Sequence, residues 1–382
     1  MNDVMWKRSL ALFAVALLLV LGGCGQLTNS SSTASTGTTS NRKVQTTGNY
    51  STTGYNSVVT EGHYKTSAAR GVAADYANNA LDVKGMETGL MQLSQDVFSP
   101  NKYTFQEGQY ISAANVKNWL GRKSKSNATG LNPEANGSTD PDKRVPEYLG
   151  TMVEQDYMTG SGSKLSLGGI SIALGMNAVD YYQKEQYGAT FQTKVNKDKQ
   201  LQEGKTMAQE IVDRLRAKNN VGNVPIFVTI YSLAEQDSLV SGSFIAKATA
   251  TGKTIDKWDS VDQQSGVLPT VNNQKPINSA DATAFNNFKT QVQNFFPNLS
   301  GVTASVHYLD GALTQMTVNI QTQFYGQTEI MSFTNYVASV ANKLLPGNAP
   351  IQIIVSSVNT TQALITRNSG EKEFTTNVLQ NY

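Results

Sequence analysis

The chain has 382 residues, with 31 Lys and Arg against 29 Asp and Glu, one cysteine and two histidines. So even a charge balance predicts neither a nucleic-acid partner nor a polybasic membrane clamp, and a lone thiol excludes an internal disulfide. A length of this order is ample for one large domain or two smaller ones.

Lys7 and Arg8 precede an almost wholly apolar run from Ser9 to Leu21. At about 13 residues the run has signal-peptide length, short of the roughly 20 needed to span a bilayer. It ends in Leu21-Gly22-Gly23-Cys24, which resembles a bacterial lipobox. In that chemistry a diacylglyceryl transferase lipidates the cysteine, and the lipoprotein signal peptidase cuts between Gly23 and Cys24. The short run favours this over a free thiol behind an uncleaved membrane helix. Each buried CH₂ of an acyl chain contributes about 0.8 kcal/mol, so two chains on Cys24 make a stable anchor. The expected location is the extracellular face of the cytoplasmic membrane. Met5 as the start would leave this unchanged.

Residues 24–63 are rich in Ser, Thr, Asn and Gly and predict a disordered tether. About 35 such residues span roughly 30–35 Å. Order is expected from Tyr64. Met86, Leu90, Leu93 and Val97 stand at helical spacing, and "SAANVKNWL" from Ser112 predicts a short helix with Ser112 as its N-cap. Residues 121–146, polar and rich in Gly, Asn and Pro, predict a long mobile loop.

Farther on the sequence repeats. An amphipathic helix with Ala208, Ile211, Val212 and Leu215 on one face leads to Gly222-Asn223-Val224-Pro225-Ile226. A second, with Phe333, Val337, Val340 and Leu344, leads to Gly347-Asn348-Ala349-Pro350-Ile351. Glycine is expected to supply a left-handed cap in both, before a proline that cannot continue the helix. Strand candidates lie upstream at 168–177 and 313–326, and downstream at 241–250 and 362–368. The agreement of helix phase and flanking strands favours duplication over chance. It predicts an α+β fold of two related strand–helix–strand–strand units, with mixed sheets carrying helices on one face. The units are expected at 64–255 and 256–382, with 256–275 as the connection between them.

Neither histidine has partners for a zinc site or a catalytic triad. His63 sits at the edge of the tether and His307 in a strand candidate. The expectation is a non-enzymatic chain with no metal and no cofactor. Carboxylates are the remaining candidates. Glu87, Glu107, Glu154 and Asp156 lie among aromatic and apolar residues. Glu154 and Asp156 share a face if extended. Glu107, Glu154 and Asp156 are the candidate ligand-binding residues. They fit acid–base work on the cell envelope, polar ligand binding, or plain capping and turn roles.

Several blocks, among them "KTSAARG", "METGLMQLSQDVFSPNKYTFQEGQYIS", "GLNPE", "YLGTMVEQDYM" and "LGGISIALGMNAVDYYQK", resemble the CamS family of sex-pheromone precursor lipoproteins of Gram-positive bacteria. The likeness runs over about residues 64–380. It implies a membrane-attached lipoprotein with an α/β-type globular part. It also implies that the apolar end of the leader, about Leu17 to Gly23, is released and trimmed to a short peptide pheromone. The globular part is then a binding or assembly module. The alternatives are a carboxylate-dependent envelope hydrolase and an extracytoplasmic solute-binding lipoprotein.

Overall fold

In the computed structural model, residues 44–46, 54–295, 301–358 and 360–380 are described. The leader, Gly23, Cys24 and most of the expected tether lie outside the described residues. Packing starts earlier than Tyr64. Tyr55 is 2% exposed, its ring lies 5.2 Å from that of Tyr157, and its hydroxyl donates to the Phe98 carbonyl. An aromatic residue inside a Ser/Thr-rich stretch was the signal that composition alone hid.

Strands β1 (Val44–Thr46), β2 (Val58–Thr60) and β3 (His63–Tyr64) form a small antiparallel sheet. Helices α1 (Val72–Tyr76) and α2 (Ala80–Ser94) follow. Asn79 caps α2 by accepting the Leu81 N–H, and Met86, Leu90 and Leu93 are buried along one side, as their spacing predicts.

The first large sheet is built from β4 (Thr104–Glu107), β5 (Leu149–Thr159), β6 (Ser166–Met176), β9 (Ile226–Ser232), β10 (Ser243–Ala250) and β11 (Trp258–Ser260), side by side in that order. Helix α3 (Ala113–Leu120) joins β4 to β5, and Ser112 caps it by accepting the Asn115 N–H. After β6 the chain makes the hairpin β7 (Val179–Gln183) and β8 (Thr190–Lys194). Helix α4 (Lys197–Arg216) then carries it across to β9, which pairs parallel with β6. A parallel pair needs such a crossover.

The second large sheet repeats this plan. Its order is β12 (Gln263–Leu268), β13 (Gly301–Leu309), β14 (Ala312–Thr322), β15 (Ile351–Ser357), β16 (Thr360–Arg367) and β17 (Thr375–Val378). Helix α5 (Ser279–Gln293) lies between β12 and β13, and α6 (Gln327–Leu344) crosses from β14 to its parallel neighbour β15. The fold is α+β with two similar sheet units. The repeat is longer than the sequence indicates. It opens two strands and one helix earlier, with β4–α3–β5 and β12–α5–β13. Residues 256–275 are not a simple connection, because β11 closes the first sheet and β12 opens the second.

Two other expectations change. Helix α4 ends at Arg216 and α6 at Leu344, with Ala217 and Leu345 as C-caps. Glycine caps neither helix. Gly222 does take a positive φ of 59°, but in the later turn. The loop at 121–146 is tied down. Asn132, fully buried, donates to the carbonyls of Leu120 and Leu149 and accepts the N–H groups of Tyr148 and Leu149. Arg122 donates to the carbonyls of Pro133 and Val145. Arg144 is buried against Asp180 at 2.5 Å.

The first sheet is covered on both faces. α3 and α4 pack on one side around Ile172, Ile211 and Val228, and α2 on the other around Phe227, Tyr231 and Phe244. In the second, α5 and α6 pack on one side around Phe285, Phe333 and Val318. No described helix is long and apolar enough to cross a membrane.

Candidate functional site

The first sheet, α2 and the segment 64–73 enclose a cavity of about 240 Å³. Its apolar lining comes from Met91 on α2, Phe105 on β4, Val116 on α3, and Met152 and Val153 on β5. Three carboxylates reach it: Glu87 from α2, Glu107 from the end of β4, and Glu154 from β5. Arg70 lines it from the covering segment.

Glu107 fastens that segment to the sheet. Its Oε1 accepts the Tyr64 hydroxyl at 2.8 Å and its Oε2 accepts the Ser67 N–H at 2.6 Å. The Gln109 amide donates to the Thr66 carbonyl, and the Ala68 N–H to the Gly108 carbonyl. Burial, then the bond to Glu107, pushes the Tyr64 hydroxyl above its ordinary range.

Glu154 and Asp156 share a face of β5, as strand alternation requires. Both hold the chain between β4 and α3. Glu154 accepts the Tyr110 and Ile111 N–H groups, each at 2.8 Å, and Asp156 Oδ2 accepts the Gln109 N–H at 2.9 Å. Asp156 is fully buried. Burial, and next the Glu154 charge, raise its carboxyl well above the carboxylate range. Burial raises Glu154 too, opposed by the two amides that favour its charged form. Of the two carboxyls, Asp156 is therefore the one pushed further toward its uncharged form.

Glu87 differs from the other acids. Its carboxylate has no hydrogen-bond or ion-pair partner among the described residues, and neither has the Arg70 guanidinium. Glu87 is exposed at the rim, yet the protein around the cavity and then the Glu107 carboxylate push its carboxyl upward.

The structure thus brings Glu107 and Glu154 to one cavity and sets Asp156 behind its wall. Arg70 was not foreseen. The only hint was a cation inside "KTSAARG", one of the blocks that carry the family likeness. His63 lies exposed on β3. His307 lies on β13, with its Nδ1 2.9 Å from Ser265 Oγ, and burial lowers its pKa.

The family model described as CamS sex pheromone cAM373 precursor matches residues 64–373. The chain belongs to the CamS family. A similar CamS-type structure is that of a sex pheromone precursor from Lactobacillus salivarius subsp. salivarius. It is 42% identical, covers 89% of this chain and 100% of that one, and has a TM-score of 0.84. The C-terminal domain of the sex pheromone staph-cAM373 precursor from Staphylococcus aureus is 29% identical. It covers 80% of this chain and 99% of that one, with a TM-score of 0.70. A search of curated proteins finds no significant match. The CamS match begins at Tyr64, so it takes in the covering segment and all four carboxylates.

Proposed function

We propose that this CamS-family chain is a lipid-anchored surface protein whose globular part binds a small zwitterion, an amino acid or short apolar peptide. The leader is cut before Cys24, whose thiol takes a diacylglycerol and holds the protein on the outer face of the membrane. The released leader ends in "LLLVLGG", from Leu17 to Gly23, a source for a short apolar pheromone-like peptide. The lipobox and the family membership support this part.

One observation carries the binding reading. Glu87 and Arg70, opposite in charge and paired with nothing described, line a single cavity with an apolar floor. A ligand ammonium suits Glu87, a ligand carboxylate suits Arg70, and an apolar side chain suits Met91, Phe105 and Val153. Drug-sized pockets run from roughly 300 Å³ upward, so this volume favours a small molecule. Glu154 and Asp156 are engaged by backbone amides, which supports binding over acid–base catalysis.

Thermal unfolding with L-leucine and with the dipeptide Leu-Leu tests it. A ligand at 100 times its dissociation constant stabilises by about 2.7 kcal/mol. A rise in midpoint that saturates with ligand is expected, and no shift with either compound removes the reading.

A further inference from the structure

The two sheets share one topology but treat one face in opposite ways. Their parallel pairs align through register: Ile170 stands opposite Ile226 in the first sheet, and Met316 opposite Ile351 in the second. Counting from those anchors, Ala173 corresponds to Asn319, Phe227 to Gln352, and Tyr231 to Ser356. In the first sheet these positions are buried beneath α2, in one cluster with Met86, Leu90 and Leu93. In the second sheet Asn319 and Gln352 are exposed.

Register extends the open face across the strands. One row runs Ser305, Thr317, Gln352, Thr366, Thr375. The next runs Thr303, Asn319, Ile354, Leu364, Asn377. Neither row contains an acidic, basic or aromatic residue. Surfaces designed for solubility aim at roughly 25–35% charged residues. Helix α2 approaches only one side of the face, where Ser305, His307 and Thr317 border a groove of about 310 Å³ with Lys84 and Gln92.

We propose that this open face docks a neutral glycan, a polymer of uncharged sugar units bearing hydroxyl and amide groups. Ser, Thr, Asn and Gln each donate and accept, as sugar hydroxyls do. Ile354 and Leu364, directly opposed and half-buried at the centre, offer an apolar strip for the C–H faces of sugar rings. An uncharged face is complementary to an uncharged partner, and it lacks the Lys and Arg that hold anionic lipid headgroups or nucleic acid. Protein interface cores are enriched in aromatics, Met and Arg, and both rows have none. The glycan face is separate from the carboxylate cavity and does not depend on a ligand there.

The test is retention of the full mature chain on chitin and in dextran-containing native gels. The comparison is a variant carrying Asn319→Glu with Gln352→Glu, and a control carrying Gln186→Glu on the exposed β7–β8 turn. Circular dichroism and unfolding midpoints check that all three fold alike. Retention of the wild type on at least one glycan, reduced at least tenfold in the double variant and unchanged in the control, is expected. No retention of the wild type on either glycan, or equal retention of the double variant, overturns the proposal. So does sedimentation showing a wild-type dimer that the double variant abolishes, since the face would then join two copies.

Discussion

Gly108 lies directly against the side chain of Glu154. A Cβ at position 108 would stand 2.6 Å from Glu154 Cβ and 2.7 Å from its Cδ, closer than atoms pack. The Gly108 N–H also donates to the Glu154 carbonyl. Gly108→Ala must therefore displace the carboxylate that holds the Tyr110 and Ile111 amides. Overpacking of this kind costs about 1–3 kcal/mol. Urea denaturation should show that loss, and an unchanged midpoint would contradict the contact.

The Glu154–Asp156 pair gives a signed pH dependence. The folded-state pKa of Asp156 is raised by burial and by Glu154, so the folded chain binds a proton more tightly than the unfolded one. The contribution of Asp156 is then greatest below the unfolded carboxyl pKa, about 4, and is lost as pH rises through the folded value. Asp156→Asn keeps the uncharged form. The variant should gain stability relative to the wild type as pH rises from 4 toward 8, measured by denaturation at each pH. A constant difference across that range would refute the raised Asp156 carboxyl.

Glu154→Gln acts the other way. It replaces an acceptor of two amides with a group holding one acceptor oxygen and one donor nitrogen, leaving one buried N–H unpaired. An unpaired buried group costs about 1–3 kcal/mol. Stability should fall at every pH between 5 and 8, and a neutral outcome would mean that the amides find another partner.

Asn132 carries the order of the 121–146 loop through two donated and two accepted bonds. Asn132→Asp keeps the acceptors but deprives the Leu120 and Leu149 carbonyls of their donor and buries a charge. A loss of at least about 2 kcal/mol is expected. Faster proteolysis within 121–146 should accompany it, and unchanged cleavage there would show that other contacts suffice.

The proposed lipid anchor on Cys24 is tested by substitution. Cys24→Ser should release the protein from the membrane fraction and abolish labelling by a radioactive fatty acid. Labelling that survives the substitution would rule out the lipobox.

Local pattern carried much of the fold. The faces of α2, α4 and α6, the Ser112 cap and the strands flanking each repeat follow from periodicity and capping chemistry. The opening strands β4 and β12 were not read as parts of the repeat because they are short and polar, and although α3 was legible from its Ser112 cap, its counterpart α5 was not. Residues 121–146 looked mobile because composition does not show that one asparagine, Asn132, satisfies four backbone groups. Glu107 and Glu154 were visible as acids among apolar neighbours. Their meeting with Glu87 and Arg70 was not, since it depends on a segment some 40 residues upstream of β4 folding back across the sheet.

Isothermal titration of Leu-Leu into the mature chain and into its Glu87→Gln and Arg70→Ala forms tests the binding account most directly. Both residues are exposed at the cavity rim, so the variants should fold normally. One site per chain, weakened at least tenfold by either substitution, is the predicted result. No heat of binding, or an affinity untouched by both substitutions, would contradict it.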